Sequence, residues 1–274
     1  MVTKRIITGL TIAIAAVVII WLGDPWFTVT VCIAAVLATL EFYRIVKNEQ
    51  IQPLTGPGII FSILLIANAY AYQFHLACPA FPPGFSVTLL FTLITLIPLI
   101  WMLFRTNKEN SFVNWGWTVA GILYIGWLMS FYILIRSMEN GIGWTFLVIF
   151  CTALCDIFAY AVGSMLGKHP LASSVSPEKT VEGSIGGLTA SIIFAVTASV
   201  IFNLPLSPWQ MIVAGIIIGI FAQSGDLVES LLKRNMKAKD AGHLLPGHGG
   251  MLDRIDSHLL IAPIAYYLIL LVNN

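Results

Sequence analysis

Apolar runs of helix length alternate with short polar breaks along almost the whole chain. They fall near 6–22, 26–46, 59–76, 85–104, 115–135, 143–166, 184–203, 209–232 and 257–272. A bilayer core calls for roughly 20 apolar residues per helix, so the pattern predicts nine membrane-spanning helices. Two runs match least well: 59–76 is short and polar at its end, and 115–135 carries several glycines. The first run follows Lys4-Arg5, as the core of a secretory leader would. It ends at Gly23-Asp24-Pro25 with no small-x-small cleavage site, and reads as a retained span. His75 to Gly84, with Cys78-Pro79 and Pro82-Pro83, reads as a loop. No internal repeat and no separate soluble domain stands out.

Composition supports this pattern. Of 274 residues, 58% are hydrophobic and 10% charged, and mean hydropathy is +0.90. Soluble chains carry about 25% charged residues. The fold class is therefore an all-α integral membrane protein, a polytopic helical bundle forming one membrane domain over residues 1–274. A net charge of +1 gives no sign of a nucleic-acid partner. Cys32, Cys78, Cys151 and Cys155 lack zinc-like spacing and read as buried thiols.

Charge orients the bundle. With the N-terminus inside, nine spans leave Arg136 alone among the 14 Lys and Arg residues on the outer side. Lys4, Arg5, Arg44, Lys47, Arg105, Lys108, Lys168, Lys179, Lys233, Arg234, Lys237, Lys239 and Arg254 all fall inside. Positive residues favour the cytoplasmic face, so the N-terminus is expected there. Two polar segments, 167–187 and 230–256, share that face and flank one helical hairpin.

Residues 230–256 concentrate the chain's charge. Pro246-Gly247-His248-Gly249-Gly250 breaks any helix there and frees the backbone for a ligand. Just before, Asp226, Glu229, Ser230 and Lys233 recur at i, i+3, i+4 and i+7, forming one helical stripe. A carboxylate within an apolar span costs roughly 2.5–3.5 kcal/mol unless paired or bound to a cation. Asp226 thus either bridges to Lys233 or Arg234 or holds a cation. Asp253 and Asp256 would share a face of a helix starting after Gly250; alone, they read as first-turn acids favoured by the helix dipole. With Asp226 they make a hard-oxygen set suited to Mg²⁺. Lys233, Arg234, Lys239 and Arg254 can neutralise a triphosphate or a lipid phosphate. Basic juxtamembrane clusters also simply touch anionic headgroups, which is the reading for Lys237. His248 donates to a phosphate or caps a turn. His243 and His258 read as structural, and Lys168 and His169 as interfacial.

In the other segment, Asp156, Tyr160, Gly163 and Gly167 share a helix face. Asp156 is a buried acid with a functional or a hydrogen-bonded structural role. Ser176-Pro177-Glu178-Lys179-Thr180 reads as a compact polar turn before a glycine-containing helix. Its hydroxyls, Lys179 and the free N–H groups of that helix suit a phosphate. Gly183, Gly186 and Gly187 point to close helix packing. Glu41 reads as an internal hydrogen-bond partner.

These residues carry a family resemblance. Ser230-x-Leu232-Lys233-Arg234, then Lys239-Asp240-x-Gly242, then Leu245-Pro246-x-His248-Gly249-Gly250-Met251-x-Asp253-Arg254-Ile255-Asp256 resembles the CDP-diglyceride synthase signature at every specified position. Asp156-x-x-Ala159-Tyr160-x-x-Gly163 and Ser176-Pro177-x-Lys179-Thr180-x-Glu182-Gly183 resemble the family's second motif, with Ile157 where a small hydroxyl residue is usual. The resemblance is strong over about the last 130 residues; the first 140 share only apolar spans. It implies a phosphatidate cytidylyltransferase that converts CTP and phosphatidate to CDP-diacylglycerol and pyrophosphate. It further implies dependence on Mg²⁺, with K⁺ associated with the site as a second cation, a place in the inner (cytoplasmic) membrane, and a homodimer. Asp226, Asp253 and Asp256 match the family's metal carboxylates. The candidate catalytic set is Asp226, Lys239, Asp240, His248, Asp253 and Asp256. The candidate substrate-binding set is Asp156, Tyr160, Ser176, Lys179, Thr180, Ser230, Lys233, Arg234, Gly249, Gly250 and Arg254. Residues 141–274 would form the catalytic part, and 1–140 the scaffold and dimer part.

Two other classes compete. A CTP-dependent lipid kinase would release CDP instead of pyrophosphate. An ion-coupled carrier would also use intramembrane carboxylates, but here the polar residues cluster at the inner ends of the last spans.

Overall fold

The computed structural model describes residues 2–73, 84–106, 108–242 and 249–273, the side chains of residues 2–8 and 273 apart. Helices α1 (Val2–Leu22), α2 (Trp26–Lys47), α3 (Thr55–Gln73) and α4 (Phe85–Leu103) come first. A single rod follows, made of α5 (Ser111–Gly121), a π-helical stretch (Ile122–Trp127) and α6 (Leu128–Arg136). Then come α7 (Gly141–Leu166), the hairpin strands β1 (Pro170–Ala172) and β2 (Ser176–Thr180), α8 (Val181–Ile201), α9 (Pro208–Asn235) and α10 (Leu252–Asn273). Eight of these rods are long and apolar enough to cross a membrane, and α1 adds a shorter apolar stretch, Gly9–Leu22. The chain is a polytopic all-α membrane protein. The two weakest runs, at 59–76 and 115–135, are both helical through their described residues. The expected loop at 75–84 lies almost wholly outside the described residues.

Contacts between helix ends show that the rods alternate in direction. At one end of the bundle, Gln73 donates to Asp24 (3.1 Å), and Arg136 reaches Ile20 O (3.5 Å). At the other, Arg105 donates to Gln52 O (2.9 Å), and Lys237 pairs with Glu49 at 3.1 Å. Lys237 therefore has a protein partner, where the sequence suggested lipid headgroups.

Large apolar side chains such as Leu96, Ile193 and Val200 are exposed, as lipid-facing positions are. The core joins α2, α6, α7, α9 and α10 through Phe42, Tyr43, Ile133, Trp144, Leu147, Ile218 and Leu259. It thus draws on both sides of residue 140. Cys151 and Cys155 are buried free thiols. Helix starts follow local chemistry. Ser207 and Gln210 form a capping box with Pro208 at the first helical position. The proposed polar turn at 176–180 is instead a strand, paired antiparallel with β1. Its last residue, Thr180, caps α8 by accepting from Gly183 N (3.1 Å). One of the N–H groups expected to be free for a phosphate is therefore occupied.

Candidate active site

Four consecutive helices, α7 to α10, pack side by side and gather the polar residues at one end. Close packing needs small residues here. A Cβ on Gly183 would lie 2.5 Å from Ala159 O, and one on Gly225 2.6 Å from Asp256 O. The second contact brings Asp226 of α9 and Asp256 of α10 onto one cleft.

That cleft measures about 1030 Å³. α7 lines it with Asp156, Ile157 and Tyr160, α9 with Asp226 and Lys233, and α10 with Asp253, Arg254 and Asp256. Asp240 and Gly249 contribute from the intervening segment, and Gly9, Leu10 and Ala13 of α1 close one side. A second cavity, of about 510 Å³, shares Asp156, Tyr160 and Asp226 with the first. Ser176, Lys179 and Thr180 of the hairpin line it, with Ser184 and Gln223. Two polar chambers therefore meet at Asp156, Tyr160 and Asp226.

The charges are paired across elements. Asp226 does not bridge to Lys233 or Arg234, as its helical stripe suggested. Its Oδ2 lies 2.7 Å from Nζ of Lys179, from the hairpin, outside hydrogen-bond geometry. Ser230 donates weakly to the same carboxylate (3.4 Å). Lys233 instead sits between Glu229, its i+4 partner on the stripe, and Asp253, whose Oδ1 is 2.8 Å away. Asp253 Oδ2 also accepts from Gly250 N (2.7 Å) and Ala241 N (3.1 Å). Asp256 is only 8% exposed, and its Oδ1 accepts from Ser257 N (2.7 Å).

Of the other candidates, Arg234 Nε donates to Val175 O (3.3 Å), tying α9 to the hairpin, and Lys239 is exposed. Ser230, Arg234, Lys239 and Gly250 line neither chamber. His248 and His243 lie outside the described residues. His258 hydrogen-bonds Tyr132 at 3.0 Å, the structural role expected. His169 lies 2.6 Å from Glu182 at the start of α8.

Sequence reasoning placed Glu229 on the stripe but gave it no role, and it missed Gln223 and the α1 residues. Glu229 is fully buried and neutralises Lys233; its spacing from Lys233 was the available signal. Gln223, three residues before Asp226, donates to Ser184 O (3.0 Å) in the second chamber. The α1 residues gave no signal, because Gly9, Leu10 and Ala13 are ordinary in an apolar span.

The donor chemistry suits Mg²⁺, which is bound through one or two carboxylates together with waters and substrate phosphates. Among the described residues, no three His, Cys, Asp or Glu side chains gather into a cage of their own. Five carboxylates line the cleft, those of Asp156, Asp226, Asp240, Asp253 and Asp256, and Asp226 and Asp256 face each other from neighbouring helices. Asp253 already holds Lys233 and two backbone N–H groups.

The sequence pattern of the cytidylyltransferase family matches residues 3–272. A phosphatidate cytidylyltransferase of Bacillus subtilis (strain 168) is 32% identical over 283 aligned positions, covering 98% of each chain. One from Synechocystis sp. is 29% identical over 299 positions, covering 98% of this chain and 97% of that one. One from Staphylococcus aureus (strain COL) is 31% identical over 263 positions, covering 95% and 97%. These matches extend through the N-terminal helices, where no signature motif lies. From residue 3 to residue 272, the chain belongs to the cytidylyltransferase family.

Proposed function

We propose that this chain transfers the cytidylyl group of CTP to phosphatidate, giving CDP-diacylglycerol and pyrophosphate. The observation that carries this reading, beyond family membership, is the pair of chambers meeting at Asp156, Tyr160 and Asp226, each lined by both carboxylates and a lysine. Two polyanionic substrates need adjacent polar chambers and charge neutralisation where they meet.

The reaction joins a phosphate oxygen of phosphatidate to the α-phosphorus of CTP and breaks the bond to the β-phosphate. The attacking phosphate is already ionised at neutral pH, so no general base is required. Alignment and relief of repulsion are the main devices, by analogy with phosphoryl transfer. Lys179 and Lys233, each held by a carboxylate, are the cations nearest to hand for phosphate oxygens. Arg254 adds charge from the start of α10. Asp226 and Asp256 would hold Mg²⁺, with Asp253 beside them carrying either Lys233 or the metal. Bound there, the metal would offset polyphosphate charge and polarise the reacting phosphate. The cytoplasmic face of the cytoplasmic membrane is the proposed setting, supported by the 13-to-1 distribution of Lys and Arg.

Purified protein incubated with CTP, Mg²⁺ and phosphatidate should form CDP-diacylglycerol and pyrophosphate in equal amounts. Release of CDP with no pyrophosphate would make the chain a lipid kinase. No nucleotide turnover, with ion flux across vesicles, would make it a carrier.

A further inference from the structure

One face of α1 carries Gly9, Ala13, Ala16 and Ile20, at spacings of four, three and four. Gly9 and Ala13 line the polar cleft; Ala16 and Ile20 line a separate slot of about 200 Å³. α10 repeats the arrangement, because Arg254 and Asp256 face the cleft while Ile255 and His258 face the slot. The slot therefore begins along the same two helices where the cleft ends, about one helical turn away.

Its walls are apolar, with Phe27, Val31 and Ala34 from α2 and Met129 from α6. Tyr132 and His258 are satisfied by their mutual hydrogen bond at 3.0 Å. Such a slot offers nothing to a nucleotide or an ion. Its volume exceeds the roughly 150 Å³ of a cavity known to admit a benzene ring, leaving room for a stretch of one hydrocarbon chain.

We infer that one acyl chain of the lipid substrate lies in this slot beneath α1, and that Ala16 and Ala34 keep it open and set which chains fit. The inference rests on the proposed transfer to a lipid phosphate and assigns the part of the site that holds the lipid's tail. A phosphate in the polar cleft places the attached chains at its membrane end, where this slot opens between α1 and the body of the bundle.

The test compares dihexanoyl with dioleoyl phosphatidate. Ala16→Leu and Ala34→Leu should lower kcat/KM for the dioleoyl lipid relative to the dihexanoyl one by roughly ten- to 200-fold, the scale of a filled apolar pocket. KM for CTP should change little. Ala15→Leu adds the same bulk on the exposed face of α1 and should leave the ratio unaltered. Independently, phosphatidate with a photoreactive diazirine in its acyl chain should label Ile19, Ile20 or Met129 of the unaltered protein. Equal effects on both lipids, or labelling confined to other helices, would overturn the inference. Labelling in the slot without any cytidylyl transfer would uphold the slot and remove the proposed function instead.

Discussion

Glu41 of α2 accepts a hydrogen bond from Leu252 N of α10 at 2.7 Å, across 211 positions of sequence. The carboxylate is 2% exposed and packs against Gly242 and Gly250, where any side chain would collide with it. With Asp253 holding Ala241 N and Gly250 N, two acids grip both ends of the signature segment. Glu41→Ala leaves a buried N–H unsatisfied, which costs about 1–3 kcal/mol. A lowered Tm is expected, together with reduced turnover, while Glu41→Gln, which keeps an acceptor oxygen, should fall between. An Ala variant with unaltered Tm would show that Glu41 does not anchor this segment.

Lys233 is the cation for Glu229 and Asp253 together. Removing one partner of a buried pair costs roughly 3–5 kcal/mol, whereas replacing both by neutral groups is often tolerated. Lys233→Met should therefore unfold the protein at much lower temperature, and adding Glu229→Gln should recover most of the loss. Turnover should stay low in both. Thermal melts in detergent decide it, and a stable Lys233→Met single variant would count against the pairing.

Asn at position 226 or 256 keeps the shape of the side chain but removes a metal-binding charge. Turnover should fall by about 10²-fold or more, the usual loss when a charge-stabilising group is removed. A Mg²⁺ titration should show a raised half-saturation concentration. Asp226→Asn also frees Lys179, so binding of CTP without metal should weaken less than turnover does. Near-normal rates at low Mg²⁺ in both variants would remove these carboxylates from the metal site.

Direct displacement leaves no cytidylyl-enzyme. Labelled pyrophosphate should enter CTP only when phosphatidate or CDP-diacylglycerol is present. Robust exchange in lipid-free protein, abolished by His248→Ala, would establish a covalent intermediate.

A reporter fused after Asn274 should behave as exported, since nine alternating rods starting inside end outside. A cytoplasmic signal would move the polar chambers to the other face.

The helices were legible because each apolar run has the length of a spanning helix, and the candidate site stood out because charge is scarce in this chain. Partnerships between elements were not. Asp226 and Lys233 share a stripe, yet Lys179, from the β-hairpin, takes Asp226. A five-residue strand is too short to show alternation, and Ser176-Pro177 resembles a turn. Glu41 looked internal and is, but its partner lies in a segment that only folding brings near. Ala13 and Ala16 carry no chemistry of their own; their meaning lies in what they leave open.

The contact at Gly225 has a mechanical consequence. Backbone meets backbone there, with no side chain between α9 and α10 to act as a cushion. The separation of the Asp226 and Asp256 charges is thus an inter-helix dimension, governed by how two rods lean together. Gly225→Ala would act as a shim of one methyl group, widening the gap between two charges while touching neither.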